Sequence, residues 1–133
     1  MNSISSKDPL GHIKLSVSDF TKSKKFYTKL FKKMEFKQIS DKETSAAWVT
    51  LEGFGIWISQ ANISEPKYKF SALGLHHLCL KARSKKEVDR IYEILKDETR
   101  IFDKPQKYPK YTPEYYAVFF SDPDGIKLEI AYY

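Results

Sequence analysis

Apolar and polar residues alternate from His12 to Val17 and again from His77 to Ala82, and each stretch leads into apolar residues three and four apart. Period-two alternation marks a half-buried strand, and the longer spacing marks an amphipathic helix. The first helical pattern carries Phe20, Ser23, Tyr27, Leu30, Phe31 and Met34; the second carries Val88, Ile91, Tyr92 and Leu95. Ser84 and Glu87 have the spacing of a capping box where the second begins. The halves also end alike. Gly55-Ile-Trp-Ile-Ser59 matches Gly125-Ile-Lys-Leu-Glu129, each after a strand-like run, Ala46–Leu51 and Tyr115–Phe120. Asp122-Pro-Asp-Gly125 reads as a turn, because Pro fixes one φ and Gly supplies a positive one. With short strands at Phe36–Ser40 and near Phe102–Lys107, each half reads β-α-β-β-β.

The predicted class is therefore α+β: two βαβββ modules whose sheets form one curved mixed sheet, with the helices on its outer face. The expected limits are a flexible tail over 1–9 and a single domain over 10–133. Module one spans 10–60, a linker holding Pro66 spans 61–73, and module two spans 74–133.

Alternation also assigns faces. Ile13, Leu15 and Val17 share the helix side, as do Leu78, Leu80 and Ala82, and Ile126, Leu128 and Ile130. His12, His77 and Glu129 point the other way and converge if the sheet curls. Two imidazoles and one carboxylate are a ligand set for Fe, Mn, Zn or Ni that leaves coordination positions open for water or substrate. Solvent exposure also accounts for histidines on a polar face. The chain has only three, however, and two open equivalent strands. His76, the third, falls on the helix side by alternation and reads as structural. Lys14, Lys81 and Lys127 share the ligand side, where they either favour an anionic substrate or reach solvent. Trp57 and Ser59 are placed on the same side. Cys79 there is either an incidental small residue or a redox-sensitive pocket group. Tyr108, Tyr111, Tyr115 and Tyr116 precede an aromatic strand; a phenol beside a metal can hydrogen-bond a substrate oxygen, and sheet-edge packing is the plainer role.

Composition narrows the classes. The 133 residues are 41% hydrophobic and 30% charged, which is a globular balance and not a disordered one. No apolar run reaches the length of a membrane helix. The polar start MNSISSKDP is unlike a secretory leader, and one cysteine excludes an internal disulfide framework; a cytoplasmic protein is expected. The net charge of +6 comes from lysines scattered in twos and threes, so nucleic acid is not an expected partner.

Three segments, HIKLSVSDFTKSKKFY, GLHHLCLKA and YYAVFFSDPDGIKLEI, resemble the vicinal-oxygen-chelate superfamily, which includes glyoxalases, bleomycin-resistance proteins and extradiol dioxygenases. The resemblance spans roughly residues 10–132. It implies a metal-dependent enzyme on a small substrate that chelates the metal through neighbouring oxygens, with His12, His77 and Glu129 as ligands. It also implies a homodimer. Glyoxalase I-type members use a fourth ligand, and the residue matched to it is Ser59, a poor ligand. Three ligands look more like extradiol dioxygenases or fosfomycin-resistance thiol transferases. The alternative is a metal-free protein that sequesters a drug, as bleomycin-binding relatives do.

Overall fold

The computed structural model describes residues 8–133, so most of the tail expected at 1–9 lies outside the described residues. The chain divides into two units, one through Ser64 and one from Glu65 to Tyr133.

In the first unit β1 (His12–Val17), α1 (Phe20–Lys33), β2 (Lys37–Asp41), β3 (Ser45–Val49) and β4 (Gly55–Gln60) follow in order. Their sheet runs β1-β4-β3-β2, with β1 parallel to β4 and the other pairs antiparallel. The second unit repeats this with β5 (Leu78–Lys81), α2 (Lys85–Leu95), β6 (Ile101–Lys107), β7 (Tyr116–Ser121) and β8 (Lys127–Tyr132), in the order β5-β8-β7-β6. Both units are the βαβββ pattern read from the sequence.

The helices form where the apolar spacing places them, and their ends are chemically fixed. Asp19 caps α1 by accepting from the Lys22 N–H at 3.1 Å. Gln60 ties that end to β4: its Oε1 accepts from Phe20 N–H and its Nε2 donates to the Ser18 carbonyl. At the other end Phe36 N–H bonds the Phe31 carbonyl, Glu35 N–H bonds the Lys32 carbonyl, and the Phe31 and Phe36 rings stack at 5.2 Å. This is a Schellman motif with Glu35, φ +59°, where glycine is usual. In α2 the Ser84 hydroxyl accepts from Glu87 N–H, but the Glu87 carboxylate returns to Arg83, both backbone and guanidinium, instead of to Ser84.

Each helix packs an apolar stripe on its own sheet. Tyr27, Leu30 and Phe31 lie with Val17, Ile56 and Ile58 in the first core; Val88, Ile91 and Leu95 lie with Val118, Phe120, Leu128 and Ile130 in the second. That burial leaves the opposite sheet face to the polar and aromatic residues.

The two β-turns align the repeats. Gly125 (φ +85°) closes its turn with Gly125 N–H to the Asp122 carbonyl and Asp122 N–H to the Ile126 carbonyl. Gly53 (φ +94°) closes the same turn with Thr50 and Phe54. Asp122 Oδ1 accepts from Ile126 N–H as Thr50 Oγ1 accepts from Phe54 N–H. Gly53, and not Gly55, is thus the counterpart of Gly125. The sequence match of Gly55 with Gly125 was two residues out of step.

Candidate metal centre

Register builds the site face of the second unit. Glu129 on β8 lies across from Cys79 on β5 and from Phe119 on β7. Lys127, two residues earlier on the same face, lies across from Ser121. His77 sits immediately before β5 and reaches the same face: its Nε2 is 3.1 Å from Glu129 Oε1. Glu129 is 3% exposed. A buried carboxylate needs polar partners, and the second comes from Tyr115, whose hydroxyl donates to Glu129 Oε2 at 2.5 Å.

His76 departs from its expected place. It precedes β5, so strand alternation does not govern it, and its Nδ1 lies 2.7 Å from His77 Nδ1. One ring must donate and the other accept. Phe70 packs edge-on against His76, and the Tyr68 hydroxyl donates to the His76 and Leu75 carbonyls.

Aromatic rings wall the carboxylate. Tyr115 stacks on Tyr133 at 4.7 Å, Tyr108 stacks on Tyr111 at 5.6 Å, and Tyr108 meets Phe119 edge-on. Phe119 in turn meets His77 edge-on. Tyr116 lies apart from this group, donating to Asp89 Oδ1. The groups beside Glu129 hold their protons. Burial, and then the Glu129 carboxylate, pushes the Cys79 thiol up to about 12. Burial, and then the hydrogen bond to Glu129, drives the Tyr115 phenol well above its usual range. Neither is poised as an anionic nucleophile at neutral pH.

The three lysines of this face differ. Lys127 Nζ lies over Phe70 at 4.4 Å, Phe119 at 5.1 Å and Phe102 at 5.5 Å. Lys81 lies over Tyr133 at 4.2 Å, and Lys14, in the first unit, lies 5.9 Å from the Trp57 ring centre.

In the first unit His12, Lys14 and Trp57 line a shallow cleft of about 310 Å³. His12 pairs with Gly55, where an added Cβ would come 3.0 Å from His12 Cβ. Counting from the aligned turns, Trp57 is the counterpart of Glu129, Lys14 of Cys79 and Gly55 of Lys127. Ser59 corresponds to Ala131. The residue matched to a fourth ligand is therefore Trp57, whose indole cannot ligate, rather than Ser59. The register shift was invisible in the pattern because a slip of two keeps every side chain on its face. Sequence reasoning also passed over Phe119, which alternation places opposite Glu129, and Phe70, for which the linker gives no periodic signal.

The family of the chain follows from comparison. A family model, Glyoxalase/Bleomycin resistance protein/Dioxygenase superfamily, matches residues 9–130. The chain belongs to this superfamily. A Bacillus subtilis (strain 168) protein, YqjT, is 33% identical over 122 residues, covering 90% of this chain and 94% of its own. A protein of Bacillus halodurans placed among the glyoxalases shares the fold with TM-score 0.81 at 23% identity, over 96% of this chain and 97% of that one. The fosfomycin resistance protein FosX of Listeria monocytogenes shares it with TM-score 0.69 at 20% identity, over 95% and 93%.

Superfamily members typically use divalent metals. Among the described residues no three His, Cys, Asp or Glu side chains form a metal-holding group, and the second unit brings two such donors together. Two donors each about 2.1 Å from a cation and at roughly a right angle lie about 3 Å apart. His77 Nε2 and Glu129 Oε1 have that separation. A cation on Nε2 would leave His77 its proton on Nδ1, where the His76 Nδ1 lies 2.7 Å away.

Proposed function

We propose that the protein is a metal-dependent enzyme that acts on a small substrate chelating the metal through vicinal oxygens. His77 and Glu129 are two ligands in this reading. His12, which opens β1 as His77 precedes β5, is the third ligand of this proposal. The supporting observation is the buried Glu129 carboxylate, 3.1 Å from His77 Nε2 and held from behind by Tyr115.

When bound, the cation would supply Lewis acidity to the substrate oxygens. The chain's own residues do the rest. Tyr115 occupies Oε2 of Glu129, which leaves Oε1 turned toward His77. His76 fixes the His77 ring from its other nitrogen. Phe119 packs on His77 and Tyr108 on Phe119, which gives the site an apolar side. Lys127 presents a positive charge two residues from Glu129, suited to an anionic part of the substrate.

A homodimer and a cytoplasmic location belong to the same reading. Each sheet ends on strands paired on one side only, β1 and β2 in one and β5 and β6 in the other, and such edges recruit further strands. No helix among the described residues is long and apolar enough to cross a membrane.

The test is metal loading. Protein stripped with chelator should bind Mn(II), Fe(II) or Zn(II), and His77→Ala, Glu129→Gln and His12→Ala should each lose that binding while still folding. Unchanged affinity in His77→Ala refutes the site. Catechols, dicarbonyl–thiol adducts and phosphonates, screened on the loaded protein, identify the reaction. Wild-type protein that never takes up metal but binds a hydrophobic cation among the stacked tyrosines would instead support drug sequestration.

A further inference from the structure

A second cleft, of about 220 Å³, lies in the second unit and is lined by none of His77, Cys79, Tyr115 or Glu129. Its walls are residues 68–71, Arg100 and Phe102 at the start of β6, and Ser121 and Gly125 at the β7–β8 turn. Lys69 contributes one cation and Arg100 another, its guanidinium carbon 4.7 Å from the centre of Phe102. Lys127, across the sheet from Ser121, is not itself a wall but places a third cation at the cleft's edge, its Nζ over Phe70 and over the same Phe102.

Among the described residues no carboxylate lies within ion-pair distance of any of these three cations. Other basic groups have such partners, Lys24 with Asp41 and Lys85 with Glu114 among them. Like charges gathered on two rings repel one another unless an anion joins them. A guanidinium packed on a ring still offers its planar N–H fork, which matches a carboxylate, and Ser71 and Ser121 add hydroxyls. Phe70 and Phe102 meet edge-to-face at 5.6 Å and are only half-buried, so they leave apolar surface in the cleft.

We propose that this cleft binds a small organic anion with a flat apolar body. The anionic group is held by Arg100, Lys127 and Lys69, and the body lies against Phe70 and Phe102. The site needs no metal, so a failure of metal binding at His77 leaves it standing.

The test is an amide NMR titration of the full chain with three probes: benzoate, benzamidine (the same ring with opposite charge) and inorganic phosphate (charge without a ring). Benzoate should saturably shift the amides of Ser71, Phe102 and Gly125. Phosphate should bind about tenfold more weakly, and benzamidine not at all. Arg100→Met combined with Lys127→Met should weaken benzoate by at least about tenfold while melting at the wild-type temperature. The proposal is overturned if benzamidine or phosphate matches benzoate, if the shifts fall elsewhere, or if the folded double variant binds as wild type does. The wild-type comparison of the three probes decides the matter even if the variant does not fold.

Discussion

Replacing Tyr115 by Phe removes one oxygen and leaves the stacking on Tyr133 in place. What is lost is the 2.5 Å hydrogen bond to Glu129 Oε2. Glu129 is 3% exposed, so little water can replace the hydroxyl, and the His77 imidazole and the Cys79 thiol are the polar side chains left beside it. A hydrogen bond to a charged group contributes roughly 1.5–3 kcal/mol, and removing one partner of a buried group costs toward the upper end. For a chain of this length about 1 kcal/mol corresponds to roughly 3–5 °C, so Tyr115→Phe should melt roughly 5–15 °C lower. The measurement is thermal and urea unfolding in chelator, which keeps the hydrogen bond itself under test. A cycle with Glu129→Gln should give a coupling of at least about 1 kcal/mol between the two positions. A loss below about 0.5 kcal/mol, within the range of ordinary surface substitutions, would refute the claim that Tyr115 holds the carboxylate.

Glu35→Gly should stabilise the protein by about 1 kcal/mol in urea unfolding, because Glu35 occupies φ +59° at the end of α1. Asp122→Ala should cost roughly 2–4 kcal/mol, since its 2%-exposed carboxylate accepts from both Asp124 and Ile126 N–H at 2.8 Å; Thr50→Ala, with one such bond at 3.0 Å, should cost about 1 kcal/mol. Cys79 should react slowly with iodoacetamide at neutral pH, with a rate still climbing as pH approaches 12. Because folding raises this thiol's pKa, its contribution to stability is complete below the unfolded value near 9 and is lost as pH rises through about 12. Cys79→Ser should therefore show less alkaline destabilisation in that window, and identical alkaline melting curves would contradict the shift.

Much of this was legible in the chain because the informative residues act locally. The helix stripes, Ser84 at the start of α2 and the Asp122–Gly125 turn depend on neighbours within a few positions, and period two alone places Glu129 and Cys79 on one face. What the pattern does not encode is register. Gly55 and Gly125 have the same local look, yet the glycine that turns the chain in the first module is Gly53. Nor does it encode contacts made by irregular segments. Phe70 and His76 lie outside any strand or helix, so nothing periodic announces that they meet each other and that His76 meets His77.

The corrected register changes how the two modules divide their labour. At matched positions the second has a carboxylate, a thiol and a lysine where the first has an indole, a lysine and a glycine: Glu129 against Trp57, Cys79 against Lys14, Lys127 against Gly55. The turns diverge in step, Asp122 against Thr50. Only the histidines, His12 and His77, are kept. A repeat retained for architecture alone has no need to preserve an imidazole at the mouth of its first strand, least of all an exposed one opposite a glycine whose missing side chain leaves it room. Packing explains the shared core stripes and the shared turns; it does not explain that pair. A ligating role for each imidazole, as proposed above, would.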